Sequence, residues 1–141
     1  MKITLPVDGS DCSNRAVEFV TQKLRKECAS LTVDLLTVHP PIPYPRAVAV
    51  IGDEKAREYY REDGEAALKS ARQTLEAAGI AYEPHILIGD PADTIAQHAG
   101  RSGADQVVMG THGRGSAGRL LMGSVAIKVV QFCPVPVLLV K

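Results

Sequence analysis

The densest run of residues able to do chemistry lies late in the chain: Gly110-Thr111-His112-Gly113-Arg114-Gly115-Ser116-Ala117-Gly118, continuing through Arg119-Leu120-Leu121-Met122 to Gly123-Ser124. Glycines let successive backbone N–H groups turn into one concavity, because no β-carbon blocks the approach or the positive φ angles such a turn can use. A helix beginning at Ser124 adds N–H groups without intrahelical partners and the positive end of its dipole. Ser116 and Ser124 carry hydroxyls, and Arg114 and Arg119 carry guanidinium groups suited to charge-assisted hydrogen bonds with phosphate oxygens. The segment therefore reads as an anion cradle. A flexible linker is the weaker reading, since so many glycines are entropically expensive to order.

Two familiar phosphate motifs fail in context. Gly113-x-Gly115-x-x-Gly118 matches the dinucleotide fingerprint literally, but that fingerprint wants an acidic residue roughly 20 positions on. Here that region is Val137-Leu138-Leu139-Val140. A Walker loop needs a Gly-Lys pair, and the chain contains none.

Fewer signals come from the other reactive side chains. Asp8, in Val7-Asp8-Gly9-Ser10, fits either a ligand or cation contact or a helix cap. His112 lies in the glycine segment, yet one imidazole does not make a metal site. His39, His85 and His98 share no helix face or ligand spacing. Cys12, Cys28 and Cys133 form no C-x-x-C pair, which suits reduced thiols filling helix faces. No nucleophile–base–acid set is visible, so rapid turnover chemistry is not expected.

Positioning these residues requires alternating strands and helices. Ile3–Val7 reads as a first strand. Ala16, Phe19, Val20, Leu24 and Cys28 share one helix face, capped by Ser10 or Ser13. Leu31–Val38 suits a strand buried on both faces, with Asp34 suggesting an end or edge position. Pro40, Pro41, Pro43 and Pro45 make His39–Gly52 a surface loop. A long helix marked by Tyr60, Gly64, Ala67, Leu68, Ala71, Leu75 and Ala78 ends at Gly79, with Gly64 allowing close approach to the sheet. Tyr82–Ile88 is the third strand, and Asp90-Pro91 opens the next helix. Asp105–Met109, a helix over Ser124–Phe132 and Pro136–Val140 complete the pattern. It predicts an α/β fold: a single domain over residues 1–141, with a five-stranded parallel sheet and helices on both faces. Ligands of such sheets sit beyond the carboxyl ends of the strands, where the strand order reverses.

Composition removes other classes. Sixteen basic and sixteen acidic residues cancel, so there is no charge argument for nucleic acid or an anionic membrane. No apolar run approaches the roughly 18 residues of a membrane span, and the first residues lack a signal-peptide pattern. A cytoplasmic location is expected.

Gly110-x-x-Gly113, nine residues and then Gly123-Ser124 resembles the ATP-binding signature of the universal stress protein family. Val7-Asp8-Gly9-Ser10, Gly89-Asp90-Pro91, Gly123-Ser124-Val125-Ala126 and Cys133-Pro134-Val135-Pro136-Val137-Leu138 resemble further segments of that family in the same order. The resemblance implies a Rossmann-like, adenine nucleotide alpha hydrolase-like fold and a stress-response protein regulated by ATP, AMP or ADP. It implies that Pro6, Val7 and Asp8 flank the nucleoside, with Asp8 near ribose, phosphates or a nucleotide-bound Mg ion. Val38 would meet adenine through its backbone, and Met109 and Gly110 would border the ribose. Gly113, Gly123, Ser124 and Val125 would hold the phosphates, helped by Arg114 and Ser116. It also implies a homodimer through Pro136–Val140. The competing functions are an ATP-cleaving enzyme of related architecture and a dimeric adaptor with an empty pocket.

Overall fold

The computed structural model describes residues 1–42, 49–50, 52–114 and 122–141. Within them, strand and helix alternate: β1 (Lys2–Pro6), α1 (Asp11–Phe19), β2 (Thr32–His39), α2 (Asp53–Ala77), β3 (Ala81–Ile88), α3 (Pro91–Ser102), β4 (Gln106–Gly110), α4 (Ser124–Phe132) and β5 (Val137–Val140). Helix α1 runs on through a π-helical turn at Val20–Leu24 and a last α-helical turn at Arg25–Glu27. The expected strands all form, with ends displaced by a residue or so. Most of the proline-rich segment between His39 and Gly52 lies outside the described residues.

All strand pairs are parallel, in the order β3-β2-β1-β4-β5. Alternation along the strands divides the core in two. Ile3, Leu5, Val33, Leu35 and Val108 face α1 and α2, packing on Ala16, Val17, Val20, Leu68, Ala71 and Leu75. Leu36, Val107 and Met109 face α3 and α4, packing on Ile95, Ala99, Ala126 and Val129. Leu36, Val107 and Val129 are fully buried. Each contributes roughly 1.5–3 kcal/mol of apolar burial.

Local chemistry sets where the helices begin. Ser10 caps α1, its hydroxyl accepting from the Ser13 N–H at 3.2 Å. Asp90 caps α3, its carboxylate accepting from the N–H groups of Ala92 and Asp93, both at 3.1 Å, with Pro91 in the first turn. On α2, Gly64 lies against β3: a β-carbon there would come within 2.6 Å of Ile86 Cγ2.

Asp34 departs from expectation. It belongs to β2, an interior strand, and is 3% exposed. An interior position is tolerable because its Oδ2 is met by Lys2 Nζ at 3.1 Å and His98 Nε2 at 3.3 Å. Lys2 arrives from β1 and His98 from α3, which sequence proximity does not indicate. Among the described residues no helix is long and apolar enough to cross a membrane.

Candidate functional site

The sheet's order reverses between β1 and β4. The first crossovers proceed from β1 outward through β2 to β3, and the chain then returns to the other side of β1. Beyond the carboxyl ends of these strands opens a cavity of about 630 Å³, a size suited to a small organic ligand. Pro6, Val7 and Asp8 enter it from β1, Val38 from β2, and Met109 and Gly110 from β4. Gly113 and Arg114 continue the wall, and Gly123, Ser124 and Val125 close it at the start of α4. Ser116 and Arg119 lie outside the described residues.

The polar end of the cavity is organised by Asp8. Its Oδ1 accepts from the Ser10 N–H at 3.0 Å, and its Oδ2 accepts from the Arg114 N–H at 2.9 Å. Burial pushes the Asp8 carboxyl up, but hydrogen bonds from Ser10, the Arg114 backbone and Ser13 outweigh it and hold the acid below its ordinary range. Asp8 is thus an anion at neutral pH. It is not the helix cap, which is Ser10.

Close approach accounts for the glycines. A β-carbon on Gly113 would lie 2.6 Å from Asp8 Oδ2, so the loop could not keep its hydrogen bond with any larger residue. At Gly110 the added carbon would meet the Cys12 backbone at 2.9 Å, so α1 packing forbids it. The expected positive φ angles do not occur at Gly110, Gly113 or Gly123. Small size, rather than left-handed backbone, is what the structure uses here.

Gly123 is the N-cap of helix α4, and its N–H donates to the Thr111 carbonyl at 2.7 Å. Among the described residues no side chain caps this helix. The first intrahelical bond is donated by Ile127 to Gly123 at 3.1 Å. The N–H groups of Ser124, Val125 and Ala126 consequently have no partner in the helix, and all three residues line the cavity. They form a site for negative charge.

A second cavity of about 390 Å³ adjoins the first and shares Asp8, Val38, Pro40 and Arg114 with it. Tyr59, Tyr60 and Asp63 of α2 line it with His39. Asp63 contacts His39 Nδ1 at 3.1 Å and Arg114 Nη1 at 3.8 Å. The Arg114 guanidinium is therefore directed toward α2, a half-exposed pairing weak enough to yield to a stronger anion. Sequence reasoning missed Tyr59, Tyr60 and Asp63 because they sit mid-helix with no motif around them. Leu36 and Ile95, which floor the main cavity, look only like core residues. Thr111, however, follows β4 directly, and the strand-end rule could have found it.

The histidines are less scattered than their spacing suggests. His85 of β3 and His98 of α3 bring their rings to a centroid distance of 4.7 Å beside Asp34. His39 is at the second cavity and His112 at the first.

Comparison with known proteins gives a consistent pattern. The model of the universal stress protein family matches residues 1–141. A universal stress protein of Methanocaldococcus jannaschii is 34% identical over 99% of this chain and 81% of its own. One of Thermus aquaticus is 36% identical over 99% of this chain and 97% of its own. Among solved structures, a second M. jannaschii protein, whose biochemical function was assigned from its structure, superposes with a TM-score of 0.83 at 27% identity, covering 99% of this chain and 94% of that one. A universal stress protein in complex with cAMP gives 0.67 at 30% identity, covering 100% and 96% of the two chains. One from Archaeoglobus fulgidus in complex with dAMP gives 0.66 at 25% identity, covering 100% and 98%.

Proposed function

From a chain that belongs to the universal stress protein family, we propose a regulatory protein that binds an adenine nucleotide in the cavity at the sheet's switch point. One observation carries the reading: the N–H groups at the start of α4 without a partner in the helix and the Asp8 carboxylate that accepts the Arg114 N–H meet in a single cavity floored by apolar residues. An apolar floor suits a base, and a helix N-terminus suits phosphates. The relatives solved with cAMP and dAMP support the ligand class.

In this reading Pro6, Val7 and Val38 border the adenine, with the Val38 backbone supplying its polar contact. Met109 and Gly110 flank the ribose. Gly113, Gly123, Ser124 and Val125 hold the phosphates, with Arg114 and Ser116 assisting. ATP is the expected ligand, with AMP and ADP as alternatives. Asp8 keeps acceptor capacity beyond its two N–H bonds, because an ionised carboxylate has about four lone-pair sites. It can therefore face a nucleotide-bound Mg ion, whose contribution would be charge neutralisation at the phosphates. Among the described residues no nucleophile–base–acid set accompanies it, and in this reading the protein is a sensor with at most slow ATP hydrolysis. The protein acts in the cytoplasm in this reading.

The reading extends to assembly. β5 ends the sheet, and α4 beside it exposes Ile127, Val130 and Phe132 at 50%, 49% and 60%. An unpaired edge with apolar flanks supports a homodimer through the C-terminal strand.

The test is direct. The purified protein is denatured, released small molecules are identified by mass spectrometry, and the stripped, refolded protein is titrated with ATP and Mg in a calorimeter. Recovery of ATP, ADP or AMP, or saturable one-to-one binding, is expected. An empty protein that ignores ATP would leave an adaptor with this fold.

A further inference from the structure

Away from the nucleotide cavity, on the face of the sheet covered by α3, Asp34, His85 and His98 converge from β2, β3 and α3. A ligand atom of each lies within 4.8 Å of the others, and among the described residues this is the one such group of three. We propose that this cluster binds a borderline-soft transition dication of the Zn²⁺ class.

Three observations support it. The donor set, two imidazoles and one carboxylate, is among those that Zn²⁺ accepts in three-ligand sites, with water as the fourth ligand. His98 Nε2 and Asp34 Oδ2 stand 3.3 Å apart. That separation matches two corners of a tetrahedron with bonds of about 2.0–2.1 Å. Most telling, His85 Nε2 is buried and has no hydrogen-bond partner. A buried polar nitrogen normally finds one, and an orphan calls for an unseen water or ion. Here the orphan belongs to the residue that completes a group of three whose other members can share a cation.

Binding requires no net change in protonation of the histidines when both are neutral. His98 Nε2 lies 3.3 Å from the Asp34 carboxylate; in the tautomer that donates from Nε2, binding moves that proton to Nδ1 and turns the Nε2 lone pair to the metal. Lys2 is the competitor. Its Nζ lies 3.1 Å from Asp34 Oδ2 and also donates to the Ser102 carbonyl at 3.1 Å. Its side chain is 36% exposed, so it can retreat into water when a dication replaces it. Asp34, His85 and His98 line neither of the two cavities described above, and a metal there would pin α3 to β2 and β3. This inference stands independently of the nucleotide reading.

The experiment uses the full chain, stripped of nucleotide and metal, titrated with Zn²⁺ by calorimetry and with Co²⁺ by its visible d–d absorption. One equivalent is expected, with tetrahedral Co²⁺ bands and a raised melting temperature. His85→Gln and His98→Gln should each weaken binding by about tenfold or more, while His39→Gln should leave it unchanged. Lys2→Gln should tighten it. Absence of Co²⁺ and Zn²⁺ binding, or binding that survives both histidine substitutions, overturns the proposal. Should a histidine variant fail to fold, Lys2→Gln decides: tighter binding supports the site, and unchanged or weaker binding rejects it.

Discussion

The Asp8 carboxylate accepts the Arg114 N–H at 2.9 Å across 106 residues of sequence, tying the end of β1 to the loop that follows β4. This one bond sets the floor of the cavity's polar end. It also explains why Gly113 admits no side chain, since the space a β-carbon needs is filled by the same carboxylate.

Gly113→Val should therefore displace Asp8 and fill the polar end of the cavity together. A lost hydrogen bond to a charged group costs about 1.5–3 kcal/mol, so the variant should fold with a lowered denaturation midpoint. Calorimetric titration should find no nucleotide binding. Retained affinity would remove the loop from the site.

Asp8→Asn should report on pH. Because the folded acid is held below its ordinary range, its contribution is complete above the unfolded pKa. It disappears as pH falls through the lower, folded value. The stability gap between wild type and Asp8→Asn should thus be flat near neutrality and close in strong acid. A gap that persists undiminished under acid conditions would contradict a depressed Asp8.

Gly64→Ala sets two effects against each other. Alanine gains about 1 kcal/mol of helix propensity over glycine. The new methyl would meet three Ile86 atoms at 2.6, 2.8 and 2.9 Å. Ile86 is β-branched and stiff, and overpacking costs roughly 1–3 kcal/mol, so the clash should win. Urea denaturation should show a less stable protein, and Ile86→Ala in the same chain should recover part of the loss. A stabilised Gly64→Ala would show that α2 moves away from the sheet freely.

Leu139→Pro tests the dimer. The Pro136 and Val140 carbonyls accept from Val107 of β4 and from Thr111, which follows it, at 2.9 and 3.0 Å. Backbone groups alternate sides along a strand, so Leu139 presents its N–H to the open edge. Proline there removes an outward donor while sparing the β4 ladder. Sedimentation should show a dimer for wild type and for Leu139→Ala, but a monomer for Leu139→Pro. Equal assembly of all three would exclude pairing through this edge.

Much of the fold was legible because its signals are local. Apolar periodicity announced the helices, β-branched runs the strands, and Ser10 and Asp90 the helix starts, since a cap needs only its next few residues. That the residues expected at a ligand share one edge of the sheet was legible for a related reason. In a parallel sheet every strand's carboxyl end faces the same edge, so Val7, Val38 and Met109 must share it once the strands are identified.

What the tertiary structure decided is where distant segments meet. Asp34 looked like an edge residue because its neutralising partners, Lys2 and His98, are remote in sequence. His85 and His98 looked unrelated because one belongs to a strand and the other to a helix. Gly110 and Gly113 announced themselves as glycines, but the reason for their size, the Cys12 backbone in one case and the Asp8 carboxylate in the other, required the packed molecule. Local propensity names the elements; contacts between elements, which no short window of sequence contains, set the charges and the space between them.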